Sequence, residues 1–107
     1  MRIFKKEWFL YLPNWEKDED SALIARLLSS DSTRVRSRAT LAISQCSPET
    51  IRNQRKVLIG LLDDDSGDVR NFALFALRKG LGEKAGNYLS DAEYESQKAK
   101  VLENYKE

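Results

Sequence analysis

Two sets of side chains in this chain are dense enough to do chemistry. The first is acidic: Asp63, Asp64, Asp65 and Asp68 fall within six residues, and Glu16, Asp18, Glu19 and Asp20 form an earlier run. The second is basic: Arg34, Arg36, Arg38, Arg52, Arg55 and Lys56. Clustered carboxylates can ligate a hard cation, but a calcium loop needs a central glycine and a distant bidentate glutamate at a spacing absent here. A solvated turn with a helix-capping aspartate explains the cluster instead. Clustered arginines can hold phosphate, and nucleic-acid binding through them predicts affinity that falls steeply with salt.

Other chemistry is thinly supplied. The chain has no histidine, which removes the commonest general base and the commonest metal ligand together. Cys46 is the one cysteine, so neither an internal disulfide nor a paired-cysteine zinc site can form. A reducing compartment and a cytoplasmic location are the simplest expectation. No glycine-rich phosphate loop and no nucleophile motif occurs. We therefore expect no enzyme activity, no metal and no cofactor.

The whole-chain balance sets further bounds. The 107 residues carry 18 basic and 17 acidic side chains, a net charge of +1. A general nucleic-acid binder carries a clear basic excess, so that role ranks below protein binding. The acidic runs would also repel phosphate. Hydrophobic residues make up 41% and charged residues 33%, as expected where much of every helix faces water. No stretch approaches the ~20 apolar residues of a membrane span. Residues 1–12 are basic and then apolar, but Lys5, Lys6 and Glu7 interrupt the run, which does not read as a leader.

The elements that position these residues repeat. Residues 27–43 return as residues 61–77 with an offset of 34 and no gap. Eight of these seventeen positions are identical, including the Leu-Leu pair, Asp31/Asp65, Val35/Val69, Arg36/Arg70, Ala39/Ala73 and Ala42/Ala76. A fixed period of this size marks stacked helix pairs.

Each copy reads as a helix, a turn and a second helix. Leu23, Ile24, Leu27 and Leu28 give the first helix an apolar stripe. Asp31, and Asp65 in the second copy, stand where an N-cap is expected. Val35, Ala39, Ala42 and Ile43 make one face of the next helix, and Val69, Ala73, Ala76 and Leu77 repeat it. Ser47, Pro48 and Glu49 are a strong helix start. Ile51, Val57, Leu58, Leu61 and Leu62 carry the stripe that follows, up to the turn at 63–68. Gly80-Leu81-Gly82 closes the second copy, since glycine accepts the left-handed C′ conformation. Ser90 and Glu93 form a capping box for a last helix, with Tyr94, Val101, Leu102 and Tyr105 on one face. Phe4, Trp8, Tyr11 and Leu12 line up on an N-terminal helix ended by Pro13. Residues 84–89 fit one short helix.

The spacing Asp31-x-x-x-Val35-Arg36-x-x-Ala39-x-x-Ala42-Ile43, with its copy from Asp65, resembles the HEAT repeat, and most of all the short lyase-type HEAT-like repeats. The likeness covers roughly residues 20–82. Tetratricopeptide repeats share the period but lack their Trp, Leu-Gly and Tyr positions here. The chain departs from HEAT in having Ser32 and Ser66 where proline follows the aspartate. The expected fold is all-α: a short right-handed α-solenoid of two HEAT-like helix pairs. Its parts are an N-terminal cap (1–17), repeat 1 (18–46), repeat 2 (47–82), and a C-terminal cap or degenerate third pair (83–107). The resemblance also implies an Asp–Arg ladder between repeats through Asp31, Arg36, Asp65 and Arg70, a structural role.

In HEAT-like proteins the second helix of each pair lines the binding face. Beside the buried stripe lie Arg34, Arg38, Leu41 and Gln45 in the first copy, and Asp68, Phe72, Phe75 and Lys79 in the second. Leu41 and Phe75, apolar in both copies, read as packing residues. Arg34, Arg38, Gln45, Asp64, Asp68, Phe72 and Lys79 are the candidate protein-binding residues, arginine and aromatics being favoured anchors. The expected function is a non-catalytic protein-binding module, monomeric before its partner arrives. Among short HEAT-like proteins its form would be an immunity-type inhibitor of a bacterial toxin, with a nuclease-type toxin domain as partner and the acidic runs covering the toxin's active site. A nucleic-acid-binding protein and an adaptor or scaffold related to phycobilin lyases are the alternatives.

Overall fold

The computed structural model describes residues 21–84 and 89–106. They form six helices and no strand: α1 (Ser21–Leu28), α2 (Thr33–Ile43), α3 (Pro48–Asn53), α4 (Arg55–Leu61), α5 (Gly67–Gly80) and α6 (Asp91–Asn104). The expected N-terminal cap and its helix lie outside the described residues, as do 85–88 of the short helix expected at 84–89.

The copies are built alike. The starts of α1 and α4 differ by the sequence offset of 34, and so do those of α2 and α5. The caps match too, but not at the aspartates. Ser32 Oγ accepts from Val35 N, and Ser66 Oγ accepts from Val69 N, each at 3.3 Å. Serine, not Asp31 or Asp65, is the N-cap in both copies. The reason is register: the helices begin one residue later than the aspartate reading requires, so the serine oxygen faces the orphan N–H groups of the first turn.

What the spacing marked as core is mostly core. Ile24, Leu28, Ala39, Ile43, Ile51, Leu58, Leu62, Val69, Ala73, Ala76, Leu77 and Val101 are buried. Fully burying each Val, Leu or Ile side chain contributes about 1.5–3 kcal/mol. Helix α5 is buried on more sides than one stripe explains, because α2, α3, α4 and α6 all pack on it. Leu74 and Phe75 are therefore covered as well as the repeat face. Leu41 and Leu102 depart from expectation. Both are exposed, Leu41 at 38%; among the described residues α2 packs on fewer helices than α5, and Leu102 turns away from the Tyr94–Val101–Tyr105 face.

The stripe that follows Ser47 is split between two helices. The backbone breaks at Gln54 (φ −107°, ψ 17°), which ends α3 and starts α4. Arg55 Nη1 donates to the Arg52 carbonyl freed there, at 2.9 Å. Ile51, before the break, and Leu58, after it, are both buried in the core.

Closure of α5 follows the glycine reading. Gly82 has φ +89°, Gly82 N donates to Lys79 O and Glu83 N to Arg78 O, the paired bonds of a Schellman motif. Helix α6 opens on the Ser90–Glu93 capping box. It is fastened by two tyrosines. Tyr94 Oη donates to Leu62 O (2.7 Å) at the end of α4, and Tyr105 Oη donates to Leu77 O (2.6 Å) in the last turn of α5. Both carbonyls lie where helix ends leave acceptors without intrahelical donors.

Candidate functional site

The candidate residues separate into two groups once placed. On α2 and just after it, Arg34 and Gln45 are exposed, Arg38 is half-buried and Leu41 is open to solvent. The Arg34 and Arg38 side chains have no hydrogen-bond or ion-pair partner among the described residues. The four lie along one side of the helix at one-turn steps. They form a strip of one accessible aliphatic group with two guanidiniums and an amide around it.

The equivalent strip on α5 is largely closed. Phe75 is buried and Phe72 half-buried, their ring centroids 6.4 Å apart and tilted by 57°. Lys79 Nζ donates to Ser44 O at 3.4 Å and so joins α5 to the C-terminal end of α2. Asp68 remains exposed at the start of α5.

Asp64 is not a surface residue of either strip. Its carboxylate takes Arg36 Nε (2.9 Å) and Nη2 (3.2 Å) and the Ser66 N–H (3.0 Å), and its side chain is 9% exposed. It is the carboxylate that joins the two copies, where the resemblance implied Asp31 and Asp65. Register again supplies the reason. With serine at the N-cap, residue 64 sits two positions before it, where one carboxylate oxygen closes the turn on Ser66 N while both face Arg36. Arg36 then completes its fork on Ser30 O (2.8 Å) and Thr33 Oγ1 (3.2 Å).

The charged clusters are partly consumed in the same way. Asp63 is ion-paired with Lys98 of α6. Arg52 Nη1 donates to Gly80 O at 2.9 Å, and Arg55 is engaged at the α3–α4 break. Of the six basic residues, Arg36, Arg52 and Arg55 are thus held by structural contacts. The acidic run from Glu16 to Asp20 lies outside the described residues. Among the described residues no group of three or more His, Cys, Asp or Glu could hold a metal ion, and no helix is long and apolar enough to cross a membrane. Cys46 is buried.

Sequence reasoning missed the tyrosine anchors and a cleft of about 290 Å³ lined by Arg70, Asn71, Leu89, Asp91, Tyr94 and Glu95. Burial raises the Tyr94 phenol well above its usual range, opposed by Arg70 and reinforced by Asp63 and Glu95. Only a side-by-side reading of residues 64, 67 and 70 against 30, 33 and 36 could have pointed to the Arg70 end of this cleft. Comparison with protein-family models, with curated proteins and with solved structures finds no match to this chain.

Proposed function

We propose that the chain is a short right-handed α-solenoid of HEAT-like type that acts as a non-catalytic protein-binding module. The solenoid reading is supported by hydrogen bonds that recur at the sequence offset. Arg36 Nη1 meets Ser30 O and Arg70 Nη1 meets Asp64 O, both at 2.8 Å, and the serine caps recur likewise.

The binding reading rests on one observation: exposed Leu41 lies between Arg34, Arg38 and Gln45 on a helix whose opposite face is core. An aliphatic group ringed by guanidiniums suits a partner surface that is apolar at its centre and acidic at its rim. An immunity-type inhibitor of a nuclease-type toxin domain is the specific form we carry forward. Its acidic contacts would fall on Asp65, because Asp63 and Asp64 already hold Lys98 and Arg36.

The test compares the parent with a Leu41→Asp/Arg38→Glu variant as affinity baits in cells of the source. The expected result is one stoichiometric protein with the parent, absent with the variant, whose nuclease activity the parent blocks. Equal recovery by both baits would refute the α2 strip. Recovery of nucleic acid alone, lost as salt rises, would replace protein binding with phosphate binding.

A further inference from the structure

The repeat gives Arg70 a counterpart whose every bond is known, and the comparison points to a ligand. Arg36 uses its whole fork: Nη1 on Ser30 O, Nη2 on Thr33 Oγ1, and Nε with Nη2 on the Asp64 carboxylate. Arg70 repeats only the first of these. Its Nη1 meets Asp64 O (2.8 Å) and Asp65 O (3.2 Å). The threonine has become Gly67, which has no hydroxyl to offer, and an ideal Cβ there would lie 3.5 Å from Nη2. The residue offset by 34 from Asp64 is Lys98, a cation, and it pairs with Asp63. Arg70 Nε and Nη2 thus have no acceptor among the described residues.

Arg70 lines the cleft between α5 and α6. Repeat 1 shows what an Nε–Nη2 edge in this setting takes, namely a carboxylate held by two parallel bonds. The same cleft has an opposite character elsewhere. Asp91 and Glu95 line it from α6, and neither is ion-paired among the described residues. Asn71 lines it too, at 8% exposure. Its Nδ2 is fixed on Gly67 O at 3.0 Å, and its Oδ1 is a buried acceptor with no donor among the described residues. A bare anion would meet repulsion from Asp91 and Glu95. A ligand that also carries a cationic nitrogen would satisfy both sides.

We propose that the Arg70–Glu95 cleft binds a free α-amino acid, its carboxylate on the Arg70 Nε–Nη2 edge and its ammonium toward Asp91 and Glu95. The volume, about 290 Å³, is at the small end for a ligand pocket and suits a molecule of this size. The tyrosine between the charges is already committed. Tyr94 Oη serves Leu62 O and, at 3.4 Å, Arg70 O, so it fixes the arginine's backbone and not the ligand. This inference uses a different surface from the α2 strip and stands without it.

The test is isothermal titration of the full chain with each free L-amino acid, then with the N-acetyl and carboxamide derivatives of any that binds. At least one amino acid is expected to bind saturably at one site. Removing either charge from the ligand should weaken binding about tenfold or more, one charge-assisted bond being decisive at this affinity. Arg70→Lys keeps the charge but loses the fork and should also weaken binding about tenfold, and Glu95→Gln severalfold, while Arg38→Glu leaves it unchanged. Thermal melts of each variant separate lost binding from lost fold, and the ligand derivatives need no variant. Absence of saturable heat up to about 10 mM for every amino acid would overturn the proposal. So would derivatives that bind as tightly as the parent amino acid, or a Glu95→Gln variant with full affinity.

Discussion

Three consecutive aspartates should differ widely in what they contribute to stability. Asp64→Ala removes two bonds from Arg36, at 2.9 and 3.2 Å, and one from Ser66 N at 3.0 Å. A charge-assisted bond contributes about 1.5–3 kcal/mol net, and removing one partner of a buried pair costs about 3–5 kcal/mol. The side chains are 15% and 9% exposed, and Arg36 keeps Ser30 O and Thr33 Oγ1, so partial rehydration offsets some of the loss. We expect a cost of about 2–4 kcal/mol, a large share of a total stability of about 5–15 kcal/mol. Asp63→Ala breaks only an exposed pair, its own side chain 73% accessible, and should cost about 0–1 kcal/mol. Asp65→Ala, on an exposed residue, should fall within about 0.5 kcal/mol of the parent. Urea unfolding followed by circular dichroism measures all three. A double-mutant cycle of Asp64→Ala with Arg36→Met should return a coupling of about 1–3 kcal/mol. If Asp64→Ala cost no more than Asp63→Ala, or the coupling fell below about 0.5 kcal/mol, the ladder would not join the repeats energetically.

Two glycines test the packing in opposite directions. Gly60 in α4 has open space where a Cβ would stand, so Gly60→Ala should stabilise by about 0.5–1 kcal/mol through helix propensity. At Gly80 a Cβ would press on Tyr105 Oη and lie 3.1 Å from Ile51 Cγ2, so Gly80→Ala should destabilise by about 1–3 kcal/mol in the same urea melts. Alkaline titration tests the tyrosine anchors. Burial raises both phenols above their ordinary value, so above pH ~10 the unfolded chain loses protons that the folded one keeps. Their contribution is complete below that pH and declines as pH rises, by up to about 1.4 kcal/mol per unit for each tyrosine. Tyr94→Phe and Tyr105→Phe should each flatten the decline between pH 9 and 11.5, and an unchanged slope would mean that other groups cause it.

Much of the helical framework is legible because period and punctuation agree. The stripes at Leu23–Leu28 and Val69–Leu77, the Ser47-Pro48 start, the Ser90–Glu93 box and Gly82 each act within a turn of chain, so each predicts its element locally. The break at Gln54 is not local. Gln54 is an ordinary helix former, and Ile51 and Leu58, seven residues apart, would share a face in one continuous helix as well, so neither marks the break. Leu41 and Phe75 show the same limit from the other side. They are equivalent in the repeat and both apolar, yet one is exposed and the other buried. Among the described residues more helices pack on α5 than on α2, which a position within a repeat does not encode.

Identities in a repeat report what the fold needs, while changes at matched positions report where the fold ends or where something else begins. Positions 30 and 64 illustrate the first. Serine and aspartate both accept from the N–H two residues on, at 3.1 and 3.0 Å, so either closes the turn. Only the aspartate adds a carboxylate for the arginine of the preceding copy, and that is the copy with a predecessor among the described residues. Position 70 illustrates the second. Arg70 keeps the bond to its own turn but has neither the threonine nor the following carboxylate that its counterpart uses. A guanidinium retained only to brace a turn needs one edge. The other edge, on an arginine that lines a cleft with Asp91 and Glu95, is a more economical place to look for a ligand than the Arg36 edge that the fold already fills.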